Sequence, residues 1–541
     1  MGPTHRIAAL ACVCATTFMM VLDMTVVAVA LADVQRDLHA GLAGLQWVID
    51  AYVVPLAALL PVAAALGDRF GRRAVFLGGT AVFGAASLAC GCAPAVGWLA
   101  VARAVQGAGA AMMLGVALAL IADVFPERRQ QAVPGGVGGR PPTRDRAVPG
   151  GVGGRPPTRD RDVALGVFGA TVASAIAIGP LLGGYLAQQA GWRAVFLINV
   201  PIGVAVLRAG WRRLPRPVER GGGPVDWAGT ATLTAALVAL VTGCVRAGED
   251  GWDDPPVPVL LGAACVLLAC FAVIERRVAV PVVDLRLFAD RTYGANALVA
   301  LLNQGAGVAA ATYLALYAQQ VRGLGPLRTG SCLLPFGVAA FLSALLSAPL
   351  LGRVPSRWAV GGTAAFTSAG LALLTALDAA SGWTVVMCGL AVTGVGLGAG
   401  STVLNQVAVH GVDARRAGMA GGVIMALRQV GTAFAVSALG AAYQHTAAVR
   451  AGRDLRGTAA ADEAGRVAAA IADGEALDGT GLSPAAAAVL RHASVTGLDR
   501  LFTVAAAVTA AGGLVALLCV RDVRRPPRPE PRPAGRAADA R

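Results

Sequence analysis

Apolar positions along this chain fall in long unbroken runs, with polar residues gathered between them, rather than in the narrow stripes of a soluble fold. A helix needs about 20 predominantly apolar residues to cross the hydrocarbon of a bilayer. Fourteen runs approach that length, at about 7–31, 46–66, 74–93, 97–122, 163–187, 193–211, 226–246, 257–275, 293–319, 327–350, 358–378, 382–404, 417–443 and 498–520. The first is too long and too weakly preceded by positive charge for a cleaved signal peptide, and is read as the first span.

The polar stretches test this count, because basic residues concentrate on the cytoplasmic side of a membrane. With Arg6 inside, alternate loops carry Arg69, Arg72 and Arg73, then Arg128 through Arg161, then Arg208, Arg212, Arg213, Arg216 and Arg220, then Arg276, Arg277, Arg286 and Arg291. Later inner loops hold Arg353 and Arg357, then Arg415 and Arg416, and finally the Arg-rich tail from Arg521. The intervening loops are poor in Arg or acidic, as in "EDGWDD" at 249–254. The expected architecture is therefore all-α and membrane-embedded, with 14 transmembrane helices and both termini cytoplasmic.

Composition agrees. Only 14% of residues are charged and 56% are hydrophobic, against roughly 25% charged in soluble domains. The net charge of +14 sits in short clusters beside apolar runs, with no aromatic-basic face to follow a nucleic acid. The ten cysteines lie almost wholly within apolar runs and show no CxxC or Cys/His spacing, so neither a disulfide framework nor a metal site is expected. All 45 basic residues are Arg, so no Walker-type lysine exists to support direct ATP drive.

A weak internal repeat aligns "LGDRFGRRAV" at 66–75 with "LGRVPSRWAV" at 351–360. Each follows the second helix of a six-helix set, as in transporters built from parallel halves. This divides the chain into an N-terminal six-helix bundle (1–211), two inserted helices with linkers (212–292), a C-terminal six-helix bundle (293–520) and a cytoplasmic tail (521–541). A perfect tandem repeat of "AVPGGVGGRPPTRDR" fills 132–161; its Pro and Gly content and few apolar residues predict a solvated cytoplasmic insertion. A long outer loop is expected at 444–497.

Charged residues inside the spans are the candidate chemistry, since a carboxylate near the bilayer centre costs roughly 2.5–3.5 kcal/mol on insertion scales. Asp23 lies about 24 Å along the first span, and Asp50 and Arg103 enter the second and fourth from outside by roughly 6 and 9 Å. The three share a level in the outer half. Asp23 with Arg103 is suited to taking up and releasing a proton, and Asp50, with Asp23, to attracting a cationic substrate; Asn303 and Gln304 are further candidate cavity-lining groups. The plainer alternative is a static Asp23–Arg103 pair and a wetted, interfacial Asp50.

Several stretches carry a family likeness. "LGDRFGRR" holds Asp68, Arg69, Gly71, Arg72 and Arg73 after the second span; "RAVQGAGAA" lies in the fourth around Arg103, Gln106, Gly107 and Gly109. "AIGPLLGGYL" in the fifth supplies Gly179, Pro180, Gly183 and Gly184, and is followed by "GWRAVFLINVPIG" at 191–203. "DLRLF", "YLALYAQQVRGLGPLRTG" and "RQVG" continue the likeness to 431. The sequence resembles the major facilitator superfamily, and within it the fourteen-helix drug:proton antiporter branch of multidrug-resistance and quaternary-ammonium-compound pumps. Departures include Ala64 for Gly in the loop motif, and Ala28 and Ala32 where the branch commonly has Asn and Pro.

The resemblance implies a proton-coupled multidrug efflux antiporter working by alternating access in a bacterial plasma membrane. Its substrates are expected to be amphipathic, cationic drugs, antiseptics or an antibiotic. Asp68 to Arg73 would form a gating loop, and the Gly179–Gly184 motif would associate with antiport. The driving force is the proton gradient, with no cofactor or metal; the partners are drugs, protons and lipid, with no nucleic acid, and a monomer is expected. An uptake symporter for a small metabolite is the alternative, with a membrane-embedded sensor or enzyme further off.

Overall fold

The computed structural model describes residues 3–125, 157–214, 226–249, 251–278, 281, 283–350, 354–375, 383–410, 417–456, 461–473 and 482–521. The tandem repeat at 132–161 lies almost entirely outside these residues, as do Arg353, Arg415, Arg416 and the tail beyond Arg521. Among the described residues all regular structure is helical, as expected of a chain whose backbone polar groups must be satisfied within lipid.

The N-terminal bundle comprises α1 (Pro3–Leu38), α2 (Leu42–Phe70), α3 (Arg72–Gly91), α4 (Val96–Val124), α5 (Pro157–Ala190), and the short α6 (Arg193–Leu197), which runs into α7 (Asn199–Arg213). The inserted pair is α8 (Trp227–Glu249) and α9 (Pro256–Arg277). The C-terminal bundle comprises α10 (Arg291–Gln320), α11 (Pro326–Leu350), α12 (Ser356–Leu374), α13 (Trp383–His410), α14 (Ala417–Leu455) and α16 (Pro484–Cys519), with α15 (Ala464–Asp473) between the last two. Thirteen spans, α6 and α7 counting as one, are long and apolar enough to cross a membrane. At 19 residues α12 has the length, but Arg357, Gly361, Gly362, Thr363 and Thr367 make it less apolar. It packs between α13 and α16, and with it the helices are consistent with fourteen spans.

The bundles meet along two seams. At one, α5 packs on α11; at the other, α2 packs on α14. The inserted α8 lies over the second seam, touching both α2 and α14, and α9 packs on α8. Exposed Val259, Val266, Leu268 and Val273 give α9 an apolar outer face, suited to acyl chains.

The stretch expected as a long outer loop is largely helical. α14 continues to Leu455 and α16 begins at Pro484, capped by the Ser483 hydroxyl, which accepts from the Ala486 N–H at 3.3 Å. With α15 these extensions bury a small core of their own, including Leu455, Val467, Ile471 and Leu490. Alanine, the strongest helix former, dominates the stretch, so the spans lengthen into a helical cap instead of ending at the lipid boundary.

Candidate transport site

Asp23 on α1 and Arg103 on α4 form an ion pair whose side chains are almost wholly buried, at 0% and 2% exposure. Arg103 is fixed from three further directions. Its Nε donates to the Val48 carbonyl of α2 at 3.0 Å, its Nη1 donates to Gln106 Oε1 at 2.8 Å, and its guanidinium lies 4.2 Å from the Tyr52 ring centroid. The second Asp23 oxygen accepts from Gln106 Nε2 at 2.9 Å and from Asn199 Nδ2 at 2.8 Å. Gln106 also donates to Ser87 at 2.8 Å, so five N-terminal helices converge on one polar cluster. Each partner named on Asp23 donates to it. Together they fill three of the roughly four acceptor positions of the carboxylate.

Asp50 is placed differently. It is fully buried and reaches across the α2–α14 seam, where its Oδ2 accepts from the Ser437 hydroxyl at 2.6 Å; its Oδ1 has no partner. One turn further out, Gln46 Nε2 donates to the Tyr313 hydroxyl at 2.7 Å, and Tyr313 donates to the Val436 carbonyl at 3.0 Å. Gln319 Nε2 donates to the Val29 carbonyl at 2.8 Å, and Gln320 donates to Gln35. These bonds between the halves all lie in the outer half of the molecule, so the outer side is closed at both α1–α10 and α2–α14. Asp50 thus belongs to the outer seam.

Asn303 and Gln304 are not brought to Asp50. Both lie on α10 about 15 Å inward of Tyr313 at 1.5 Å per residue. Asn303 Nδ2 donates to the Gly396 carbonyl at 3.3 Å, and Gln304 Oε1 accepts from Arg428 Nη2 at 2.7 Å and from its Nε at 3.1 Å.

The small residues of α5 serve two neighbours at once. A side chain at Gly179 would collide with Thr25 of α1, and a Cβ at Gly183 would sit 2.8 Å from Val26 Cγ1. On the other side Gly184 abuts the Pro326 carbonyl of α11, and Pro180 presents its own carbonyl to Gly330. Pro180 has no N–H to return to the Ile176 carbonyl, against which Gly337 packs so closely that a Cβ there would lie 2.7 Å away. The motif is therefore the close-packed outer part of the α5–α11 seam, where only small residues let backbones touch.

At the inner end, Gly71 turns the chain between α2 and α3 with φ of 92°, a left-handed conformation that favours glycine. Arg72 pairs with Asp123 at 2.9 Å and donates to the Ala119 carbonyl at 3.1 Å, both at the end of α4. Arg73 donates to the Trp211 carbonyl of α7 and lies 5.6 Å from that ring; Arg69 lies over Phe70. The Asp68 side chain is outside what the structure describes.

The whole-chain comparisons agree with this architecture. The profile of the Major Facilitator Superfamily matches residues 13–138 and 152–436. This chain belongs to the Major Facilitator Superfamily. Relatives include the multidrug resistance protein Stp of Mycobacterium tuberculosis, 32% identical over 78% of this chain and 73% of that protein. The tetracenomycin C resistance and export protein of Streptomyces glaucescens is 32% identical over 92% of this chain and 89% of its own length, and the puromycin resistance protein pur8 of Streptomyces alboniger is 34% identical over 79% of each. Among solved structures, a bacterial homologue of the human lysosomal transporter Spinster, inward-facing and unoccupied, superposes with a TM-score of 0.59 over 98% of this chain and 100% of that one, at 17% identity. It supports the fold alone.

Within this superfamily member Gln106 stood out in the sequence only as part of a motif, and Asn199 and Asp123 did not stand out. Asn199 lies in "GWRAVFLINVPIG" and Gln106 in "RAVQGAGAA", but amides within apolar runs are as often interhelical glue as site residues. Asp123 stands at the last turn of α4, where an acid looks interfacial until Arg72 is seen against it. The same "GWR" segment closes the outer surface: Trp192 Nε1 donates to Asp37 at 3.0 Å, and Arg193 pairs with that carboxylate.

Proposed function

We propose that this superfamily transporter is a proton-coupled drug exporter of a bacterial plasma membrane. It moves amphipathic, cationic drugs, antiseptics or an antibiotic by alternating access. The relatives named for multidrug, tetracenomycin C and puromycin resistance support export. The buried Asp23–Arg103 pair is the observation that carries proton coupling: a carboxylate wholly inside the bundle, held by donors from α4 and α7.

Asp50 supplies the second half of the cycle. A cation reaching its partnerless oxygen competes with Ser437 for the carboxylate and so loosens the outer seam. Proton entry at Asp23 then displaces Arg103 and rearranges α1, α4 and the Val48 carbonyl of α2, two residues from Asp50. Each proton crossing 100 mV supplies about 2.3 kcal/mol. Gly179, Pro180, Gly183 and Gly184 keep the α5–α11 seam tight meanwhile, and Arg72 with Asp123 latches the inner end of α3 to α4.

Everted vesicles bearing the protein test this reading. Adding a cationic dye should release protons from preloaded vesicles, and Asp23→Asn should abolish the release. Normal dye-driven proton release in Asp23→Asn would remove Asp23 as the carrier. Selective loss of cationic substrates is expected in Asp50→Asn; equal loss of neutral drugs would make Asp50 purely structural.

A further inference from the structure

A groove of about 610 Å³ opens on the surface where the first turns of α1 meet the last turns of α7. Thr4, Ile7 and Ala8 of α1 form one wall; Arg208, Arg212 and Arg213 of α7 form the other, around a floor of alanines. Arg208 and Arg212 are one helical turn apart on one face of α7, with Arg213 next to Arg212, so the three line the same side of the groove. Among the described residues no carboxylate pairs with any of the three. Beside them, on the α1 wall, Ile7 is 66% exposed. Arg73 donates to the Trp211 carbonyl, anchoring this end of α7 to the first turn of α3. The positive-inside distribution places the groove at the inner leaflet, but accounts only for the sign of the charge. It does not account for a concave site in which three cations adjoin exposed apolar surface.

We propose that this groove binds the phosphodiester headgroup of an anionic phospholipid of the inner leaflet, with Arg208, Arg212 and Arg213 on the phosphate and Ile7 along the upper part of an acyl chain. Guanidinium groups match phosphate oxygens in geometry and charge, and basic pockets between membrane helices on the cytoplasmic side favour such headgroups. The two helices it would join are those that meet again at Asp23, where Asn199 of α7 donates to the α1 carboxylate at 2.8 Å. The lipid therefore braces, from the inner end, the helix pair that holds the buried acid. This assignment stands independently of the transported substrate.

Native mass spectrometry of the full chain, titrated with phosphatidylglycerol or phosphatidylcholine, tests it. Wild type should retain phosphatidylglycerol in preference to phosphatidylcholine. Arg208→Gln/Arg212→Gln/Arg213→Gln should weaken that retention by about fivefold or more, whereas Arg276→Gln/Arg277→Gln, which removes charge at the exposed inner end of α9, should retain it. Equal loss in both sets would mean diffuse surface attraction and overturn the site, as would no loss in the triple variant. Should the triple variant fail to fold, Ile7→Gln keeps every charge and removes the apolar wall; unchanged phosphatidylglycerol retention there would also overturn the proposal. Millimolar inorganic phosphate should not displace the lipid, and displacement would assign the groove to a free anion instead.

Discussion

Asn199 Nδ2 lies 2.8 Å from Asp23 Oδ1, so a residue of α7 reaches the acid of α1 on the oxygen that Gln106 also serves. The other oxygen belongs to Arg103. Removing Arg103 strands a buried carboxylate, and breaking such a pair typically costs about 3–5 kcal/mol. Arg103→Ala should therefore fall sharply in thermal stability in detergent. Asp23→Asn combined with Arg103→Gln should recover part of that loss, since neither partner is then left charged. A double variant no more stable than Arg103→Ala alone would refute the pairing as the source of the effect.

The bond between Ser437 and Asp50 is a joint between the halves, and its loss should bias the conformational equilibrium. A side-chain hydrogen bond contributes about 0.5–1.5 kcal/mol, enough to shift a two-state population roughly two- to tenfold. Ser437→Ala should lengthen the distances between spin labels placed at the outer ends of α2 and α14, enlarging the outward-open fraction. Unchanged distance distributions would mean that the Gln46–Tyr313 bond and apolar packing suffice to close the seam.

These two relationships show how far the sequence could be read. Asp23, Asp50 and Arg103 stood out because ionisable groups inside apolar runs are rare, and a depth count along ideal helices was enough to put them near one level. Rise per residue says nothing about rotation, however. It could not show that Asp23 faces Arg103 inside one bundle while Asp50 faces Ser437 across the seam. Asn303 and Gln304 illustrate the same gap: they are polar and intramembrane, but belong with Gly396 and Arg428 at another depth. The outer cap was missed because hydropathy locates where lipid ends, whereas helices end where their backbone finds caps; the alanines of 485–488 were the available signal.

Gly184 offers a steric test of the α5–α11 seam. A Cβ there would strike the Pro326 carbonyl and lie 2.8 Å from Leu327 Cα, whereas a Cβ at Gly169 of the same helix meets nothing within 4 Å. Overpacking costs typically about 1–3 kcal/mol. Gly184→Ala should lower stability and increase proton leak in reconstituted vesicles, with Gly169→Ala near wild type. Equal leak from the two variants would show that the close approach does not seal the pathway.

The Arg72–Asp123 pair is half-exposed, at 22% and 28%, and pairs of that kind contribute about 0–1 kcal/mol. Asp123→Asn should leave the melting temperature nearly unchanged while reducing transport, because the contact holds the inner ends of α3 and α4 in one of their arrangements. Exchanging the residues, as Arg72→Asp with Asp123→Arg, should restore part of the activity. A large fall in stability, or no effect on transport, would contradict a latch.

The outer cap carries a titratable joint of its own. Glu463 Oε2 accepts from the Ser483 backbone N–H at 3.0 Å, and Arg466 lies 3.5 Å away. The Ser483 backbone hydrogen bond first, then the Ser483 hydroxyl and last the charge of Arg466, hold its carboxyl below the ordinary glutamate range against a smaller opposing effect of desolvation. A carboxylate whose value is depressed by folding stabilises the fold fully above its unfolded value, about 4.3, and loses that contribution as pH falls through the folded value. Hydrogen exchange at Ser483 and along α15 should therefore be slow at neutral pH and accelerate below about pH 4 beyond the intrinsic trend. In Glu463→Gln that extra acceleration should be absent, because no carboxylate remains to be protonated. If both proteins lose protection in parallel on acidification, the joint between Glu463 and Ser483 is not what ties α15 to the start of α16.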